Sequence, residues 1–586
     1  MYKNFFKALK LIVLLLALSG LAAGQTATLS PDLASAVPTS NPKVIVRFKR
    51  APTAVDLQRI LALSQGGILR KRLYSAKGGA FTVPAAALAR IAADSGVAYV
   101  SRDRHVRGRL DLTAAAVNAS AAWAAAWDGS GVGVAVIDSG VVATPDLFDA
   151  YGKFRVVDAM DFVGGGPLDQ YGHGTHVSGI IAASGVGSIC PTCTRTFRGI
   201  APNANLIDLR VLDQNGESDD STVIQAIDAA IALKDQYNIR VINLSLGRPV
   251  FESYTQDPLC QAVEAAWQAG IVVVVAAGND GRDNSFNSSG YGTIGSPGND
   301  PYVITVGAMK TEGTPDRSDD SVASYSSKGP SSVDQVMKPD IVAPGNQVVS
   351  LLAQGTTLPT LYPTSLIPLS YYMQTSSSAL SSSYFMLSGT SMATPVVSGA
   401  VADLLEAEPG LTPDQVKAKL MKTAYKVFPA SSSVFDPVTG NAYVDQYDAF
   451  TIGAGYLDLQ AALADTSLPN GPALSPMATW DPVSGNAYVT PSPSTVWNST
   501  PDYSLRSVWG DTLLSDGSNA LWGNQTAPWG VPLSAAQSVW GDQSVWGDQS
   551  VWGDRSVWGD RSVWGDQSVW GDQSVWGDTI LLKGEN

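Results

Sequence analysis

Four stretches, Val132 to Ile137, Leu206 to Val211, Val241 to Leu246 and Ile271 to Val275, are rich in Val and Ile and lack polar alternation. A strand with one wet face alternates apolar and polar residues, whereas a strand covered on both faces need not. The runs therefore predict central strands of a parallel sheet. Helical stretches at Val223 to Leu233 and Cys260 to Gln268 lie between them. Strands and helices alternating in this way predict a three-layer α/β fold over residues 111–465. Asp138 and Asn279 each fall just past the end of an apolar run. In open sheets, ligand sites gather beyond the carboxyl ends of strands.

The pattern changes on either side. Residues 25–110 read as a small α+β domain, with strands at Val44 to Phe48, Ala80 to Val83 and Val97 to Val100 and a helix at Ala86 to Ile91. Residues 351–385 are rich in Ser, Thr, Tyr and Pro and read as an irregular surface loop at the rim of a cleft. Residues 466–506 read as a linker. The decapeptide Phe435 to Val444 is nearly repeated at Trp480 to Val489, and Ser-Val-Trp-Gly-Asp then recurs through 507–586, with Trp540, Trp546 and Trp552 six residues apart. Six residues advance an α-helix by about 600°, so the tryptophans would scatter around it. In extended chain they would share one face. The tail is thus either a flexible low-complexity segment or a repetitive aromatic surface for a cell wall, glycan or partner.

Residues 1–24 carry Lys3, Lys7 and Lys10, an apolar core from Leu11 to Leu18, and small residues at Ala22-Ala23-Gly24. That core is short of the roughly 20 residues a span needs, so it reads as a secretory signal. The expected product is secreted or cell-surface associated, with no membrane segment after signal removal. Of the net charge of −14, residues 43–109 carry +11 and residues 1–42 carry +2, leaving −27 for the remainder. An acidic body fits nucleic acid poorly. The basic segment finds a simpler partner in its own chain. Cys190 and Cys193 are spaced for a local disulfide, and Cys260 reads as a buried thiol.

Acyl-transfer chemistry is the strongest signal. A serine hydroxyl needs a base within hydrogen-bond reach, and the base needs an orienting acid. The chain has only three histidines, His105, His173 and His176. His173 lies between glycines at a predicted helix start and is the candidate base, while His176 reads as a packed structural residue. Ser391, in Gly389-Thr390-Ser391-Met392-Ala393-Thr394-Pro395, sits at another helix start cleared of bulk. Taken alone it would read as a helix N-cap. Asp138 is the candidate orienting acid. Asn279 follows Ala276-Ala277-Gly278 and is either a turn residue or a donor to a developing oxyanion.

These motifs, with Gly199-Ile200-Ala201-Pro202, Ser245-Leu246-Gly247 and Lys338 to Gly345, resemble the subtilisin-like serine proteases (peptidase S8) over about residues 115–465. The resemblance implies a subtilisin-like fold and a triad of Asp138, His173 and Ser391, with Asn279 at the oxyanion. It implies that Ser245, Leu246 and Gly247 bind substrate backbone and that Gly295 floors a side-chain pocket. Residues 25–110 resemble the family's inhibitor propeptide, so the expected partners are polypeptide substrates and the chain's own leader. No redox or nucleotide cofactor is implied. Calcium is common in the family, but no ligand can be placed in this sequence. A rival reading makes the tryptophan repeats the function and the chain a surface-binding protein.

Overall fold

The computed structural model describes residues 28–30, 33, 41–73, 77–102, 112–284, 288–436, 440–481, 486–490, 494–498, 503, 508 and 513–514. The expected signal segment, His105 and the repeats beyond residue 514 lie outside the described residues. The chain divides into two compact units, Met1–Arg107 and Gly108–Asn586.

At the centre of the second unit is an eight-stranded sheet. Seven strands run in the order Ser321–Val322, Ile304–Lys310, Val272–Ala276, Ile239–Leu244, Gly133–Asp138, Asn205–Arg210 and Val156–Asp161, and Ile341–Pro344 also pairs with Ile304–Lys310. All pairings are parallel except that of Ser321–Val322. Gly133–Asp138, Val272–Ala276 and Ile304–Lys310 are buried at every position, which is why their sequences do not alternate. Helices His173–Ala182 and Thr390–Ala407 pack on each other, Asp220–Tyr237 and Pro258–Gln268 form a second pair, and both pairs pack on the sheet. The strands that follow Gly133–Asp138 lie first on one side of it, and the chain then crosses to Ile239–Leu244 on the other. Asp138 therefore ends the strand at which the order reverses, where a crevice opens in sheets of this kind.

Two expectations change. Residues 351–385 are not an irregular loop. Val348–Leu351, Leu380–Leu387 and Leu366–Pro368 form a three-stranded antiparallel sheet, with a helix at Thr357–Leu361. Leu358, Ile367, Tyr372, Tyr384 and Phe385 are buried there, and the abundant serines between them mask the apolar signal. The Cys190–Cys193 disulfide forms. Its loop joins the insert through Thr194 N–H to Tyr372 O and Gln374 N–H to Thr192 O, both 2.7 Å.

The stretch 466–506 is also more than a linker. Ala473, Ala478, Val496, Trp497 and Tyr503 are buried in one cluster with Met337, Met421 and Phe450. Trp497 Nε1 donates to Leu474 O at 2.6 Å, and Ser475 Oγ donates to Asp340 Oδ1 at 2.5 Å. The repeated decapeptide lies in a β-hairpin both times, pairing Ser431–Phe435 with Ala442–Gln446 and Met477–Asp481 with Asn486–Thr490.

The first unit is a five-stranded sheet in the order Thr28–Leu29, Val97–Arg102, Lys43–Phe48, Gly78–Thr82 and Ile68–Leu73. Val44, Val46, Leu57, Ile60, Phe81, Ile91 and Val100 form its core. The helix Ala54–Ser64 begins at a capping box in which Thr53 and Asp56 bond each other's backbone N–H.

Candidate active site

Asp138 is fully buried at the end of its strand. Its Oδ1 and Oδ2 lie 2.8 and 3.0 Å from His173 Nδ1, and Oδ1 also accepts the Ser139 N–H at 2.7 Å. His173 opens the helix His173–Ala182 after Gly172, whose φ is 109°. A Cβ at Gly172 would stand 2.6 Å from Thr356 Oγ1, so both backbone and space call for glycine. The first N–H groups of a helix lack intrahelical partners. Here Asp169 takes them, accepting from Gly172 N–H at 2.6 Å, Thr175 N–H at 2.9 Å and Thr175 Oγ1 at 2.7 Å. Ser139 Oγ donates to Asp169 at 2.9 Å and accepts Gly174 N–H at 2.8 Å, tying the acid's turn to the histidine's helix.

Burial pulls the His173 pKa down, but the charge and hydrogen bond of Asp138, with the charge of Asp169, outweigh it and hold the pKa above the usual histidine value. With Nδ1 engaged by Asp138, Nε2 is the atom left for a serine. His176 packs elsewhere, with Nε2 facing the carbonyls of Val348 and Phe385 at 3.2 and 3.1 Å. Burial pushes its pKa down to about 3, so it stays neutral, as a packed structural histidine should.

From Thr390 to Leu405 every residue of the second helix is buried except Ser391. Pro395 lies four residues beyond Ser391 and has no N–H, so the helix cannot satisfy the Ser391 carbonyl. Ser245 Oγ fills that place at 2.9 Å. In return Ser391 Oγ donates to Ser245 O at 3.0 Å. Asn243 Nδ2 donates to Ser245 Oγ at 2.9 Å, and Ser398 Oγ donates to Asn243 Oδ1 at 2.8 Å.

Asn279 reaches the mouth of the same helix. Its Oδ1 accepts the Thr390 N–H at 2.8 Å and Thr390 Oγ1 at 3.1 Å. A Cβ at Gly389 would stand 3.3 Å from Asn279 Nδ2, so glycine keeps the space beside the amide open. Leu246 is buried, and Gly247 leads into Arg248, which exchanges backbone hydrogen bonds with Ser296 at 2.9 and 2.7 Å. Gly295 precedes that contact, and a Cβ there would meet Arg248 O at 3.0 Å.

An acid, an imidazole and a helix-borne serine on three separate elements, in the chain order Asp, His, Ser, are the parts of an acyl-transfer site. A family model described as the subtilase family matches residues 129–455. The chain belongs to the subtilase family. Serine protease AprX of Bacillus subtilis (strain 168) is 40% identical over 303 residues, covering 50% of this chain and 61% of that protein. Subtilisin E of the same organism is 32% identical over 392 residues, covering 65% of this chain and 85% of that protein. A solved structure, a cold adapted subtilisin-like serine proteinase, is 31% identical and covers 51% of this chain and 84% of its own, with a TM-score of 0.36. Membership of the family makes the three-layer α/β fold with its largely parallel sheet a subtilase fold, and the family is one of serine endopeptidases.

Several supporting residues of this subtilase escape sequence reasoning. Asp169 was missed, although an acidic residue just ahead of the Gly172-His173 helix start is a signal that could have found it. Ser139, Asn243 and Thr390 act through contacts that no local pattern announces. Among the described residues no group of three or more His, Cys, Asp or Glu side chains is arranged to hold a metal ion. Among the same residues no helix is long and apolar enough to cross a membrane.

Proposed function

We propose that the chain is a secreted serine endopeptidase, made as a zymogen, with Asp138, His173 and Ser391 as its catalytic residues. Ser391 Oγ attacks the peptide carbonyl while His173 Nε2 takes its proton. His173 then gives that proton to the leaving amine, and water releases the acyl-enzyme by the same steps in reverse. Asp138 holds the ring in the tautomer that leaves Nε2 free to accept. Asn279 Nδ2 and the Ser391 N–H, an orphan donor of the helix start, stabilise the oxyanion. Ser245, Leu246 and Gly247 bind substrate backbone as an added strand, and Gly295 floors the pocket for the residue before the scissile bond.

The observation that carries this reading is the double contact of Asp138 with His173 Nδ1, at 2.8 and 3.0 Å, at the strand end where a ligand crevice opens. The leader, residues 25–110, acts as an inhibitor and folding aid, supported by its charge of +11 over residues 43–109 against −27 for the body. The repeated tryptophans favour a second role, in which the tail holds the protease at a cell surface or glycan. Intact mass and N-terminal sequencing of wild type and Ser391→Ala test the zymogen. The expected outcome is loss of the leader at 105–115 in wild type and its retention in the variant. Retention in both argues against self-processing.

A further inference from the structure

The strand Asn205–Arg210 lies parallel to Gly133–Asp138, with Asp208 opposite Val136 and Arg210 opposite Asp138. Residues two apart on a strand share a face, so Asp208 and Asp138 project to the same side of the sheet. Asp208 is 2% exposed. Its Oδ2 accepts the Val141 N–H at 3.0 Å, and its Oδ1 has no hydrogen-bond partner among the described residues. Val141 closes the turn Asp138-Ser139-Gly140-Val141, in which Gly140 has a φ of 104°. That turn carries both the Asp138 carboxylate and the Ser139 hydroxyl that grips the histidine helix.

Asp169, a short distance along the same wall, shows how this protein surrounds a buried carboxylate. It accepts from Ser139 Oγ, Thr175 Oγ1 and the N–H groups of Tyr171, Gly172 and Thr175. Asp208 receives a single bond, too few for a desolvated anion. The ionisable groups acting on it are Asp169 and Asp138, both carboxyls, and in opposition Arg210. Arg210 is itself committed, donating from Nη1 to Gly164 O at 3.0 Å and Gly166 O at 2.6 Å and lying 3.5 Å from Asp161. Burial first, then the Asp169 and Asp138 charges, drive the Asp208 pKa well above the usual carboxylate range.

We propose that Asp208 is a positioning residue of the active site that works as an uncharged carboxylic acid, holding the turn behind Asp138 through Val141 without adding charge to the Asp138–His173 pair. The positioning claim rests on the proposed catalytic roles of that pair, whereas the protonation claim stands apart from them. Both can be measured on the full chain with Asp208→Asn, which keeps an acceptor for Val141, and Asp208→Ala, which removes it. The wild type minus Asp208→Asn infrared difference spectrum near neutral pH should show the carbonyl stretch of a protonated carboxyl. Carboxylate bands alone would overturn the uncharged state, whether or not the chain hydrolyses peptides.

In kinetics, Asp208→Asn should keep kcat within about twofold and leave the acid limb of kcat/KM in place. A charged Asp208 would instead move that limb down by up to about one pH unit on substitution. Asp208→Ala should lose about tenfold or more in kcat with KM little changed, since small misplacements of a catalytic group are costly. Wild-type kcat in Asp208→Ala, measured below its unfolding temperature, would overturn the positioning role. An active Ser391→Ala control would instead overturn the catalytic reading, leaving the infrared result to stand alone.

Discussion

Asp138 and His173 form a buried pair, and in the proposed triad its electrostatics set the acid side of the activity profile. The base must be neutral to accept a proton, and its pKa lies above the usual histidine value. Hydrolysis should therefore fall as pH drops through a point above about 6.5. Asp138→Asn removes the charge that opposes burial, so the acid limb should move to lower pH while kcat falls about 10⁴-fold, the scale measured for the equivalent acid of subtilisin. A pH series of kcat/KM checks this, and an unmoved limb would deny Asp138 its role. Asn279→Ala should cost about 10²–10³ in kcat with KM little changed, again a subtilisin figure. The candidate residues themselves were legible because each lies in a short motif at an element end. Their supports were not. Asn243, Ser139 and Thr390 act through bonds that join segments more than 30 residues apart in sequence.

Gly172 shows how elements meet at the site. It joins the loop organised by Asp169 to the His173 helix, while the insert helix Thr357–Leu361 closes over that loop through Thr357 N–H to Gln170 O at 3.1 Å and Leu358 N–H to Tyr171 O at 2.8 Å. Gly172→Ala would put a methyl against Thr356 and strain a left-handed residue, at a cost of about 1–3 kcal/mol. The expected result is a lower Tm together with a lower kcat. A normal kcat would mean that this joint does not position His173. Strands of the central sheet were legible because burial on both faces leaves unbroken Val and Ile runs. The insert was not, because Ser381, Ser382 and Ser383 break the apolar run of the strand Leu380–Leu387 ahead of its buried Tyr384, Phe385 and Leu387.

At the scale of the whole molecule, the protease unit extends past its sequence motifs. Trp497 is fully buried, and Lys417 Nζ donates to Ser475 Oγ at 2.8 Å, next to Asp340. Ending the chain after residue 514 should leave Tm and hydrolysis intact. Ending it after residue 465 removes Trp497, worth about 3–5 kcal/mol by itself, and should yield a chain that unfolds at markedly lower temperature. Equal stability of the two truncations would return residues 466–506 to the status of a linker. Their small polar residues, punctuated by single aromatics, carry no periodicity from which packing could be read. Activation of Ser391 as a nucleophile by His173 can be tested by labelling the purified, matured chain with a fluorophosphonate and mapping the adduct by mass spectrometry. One adduct is expected, on Ser391, absent from Ser391→Ala and formed far more slowly in His173→Ala. Labelling at another serine, or equal labelling without His173, would contradict it.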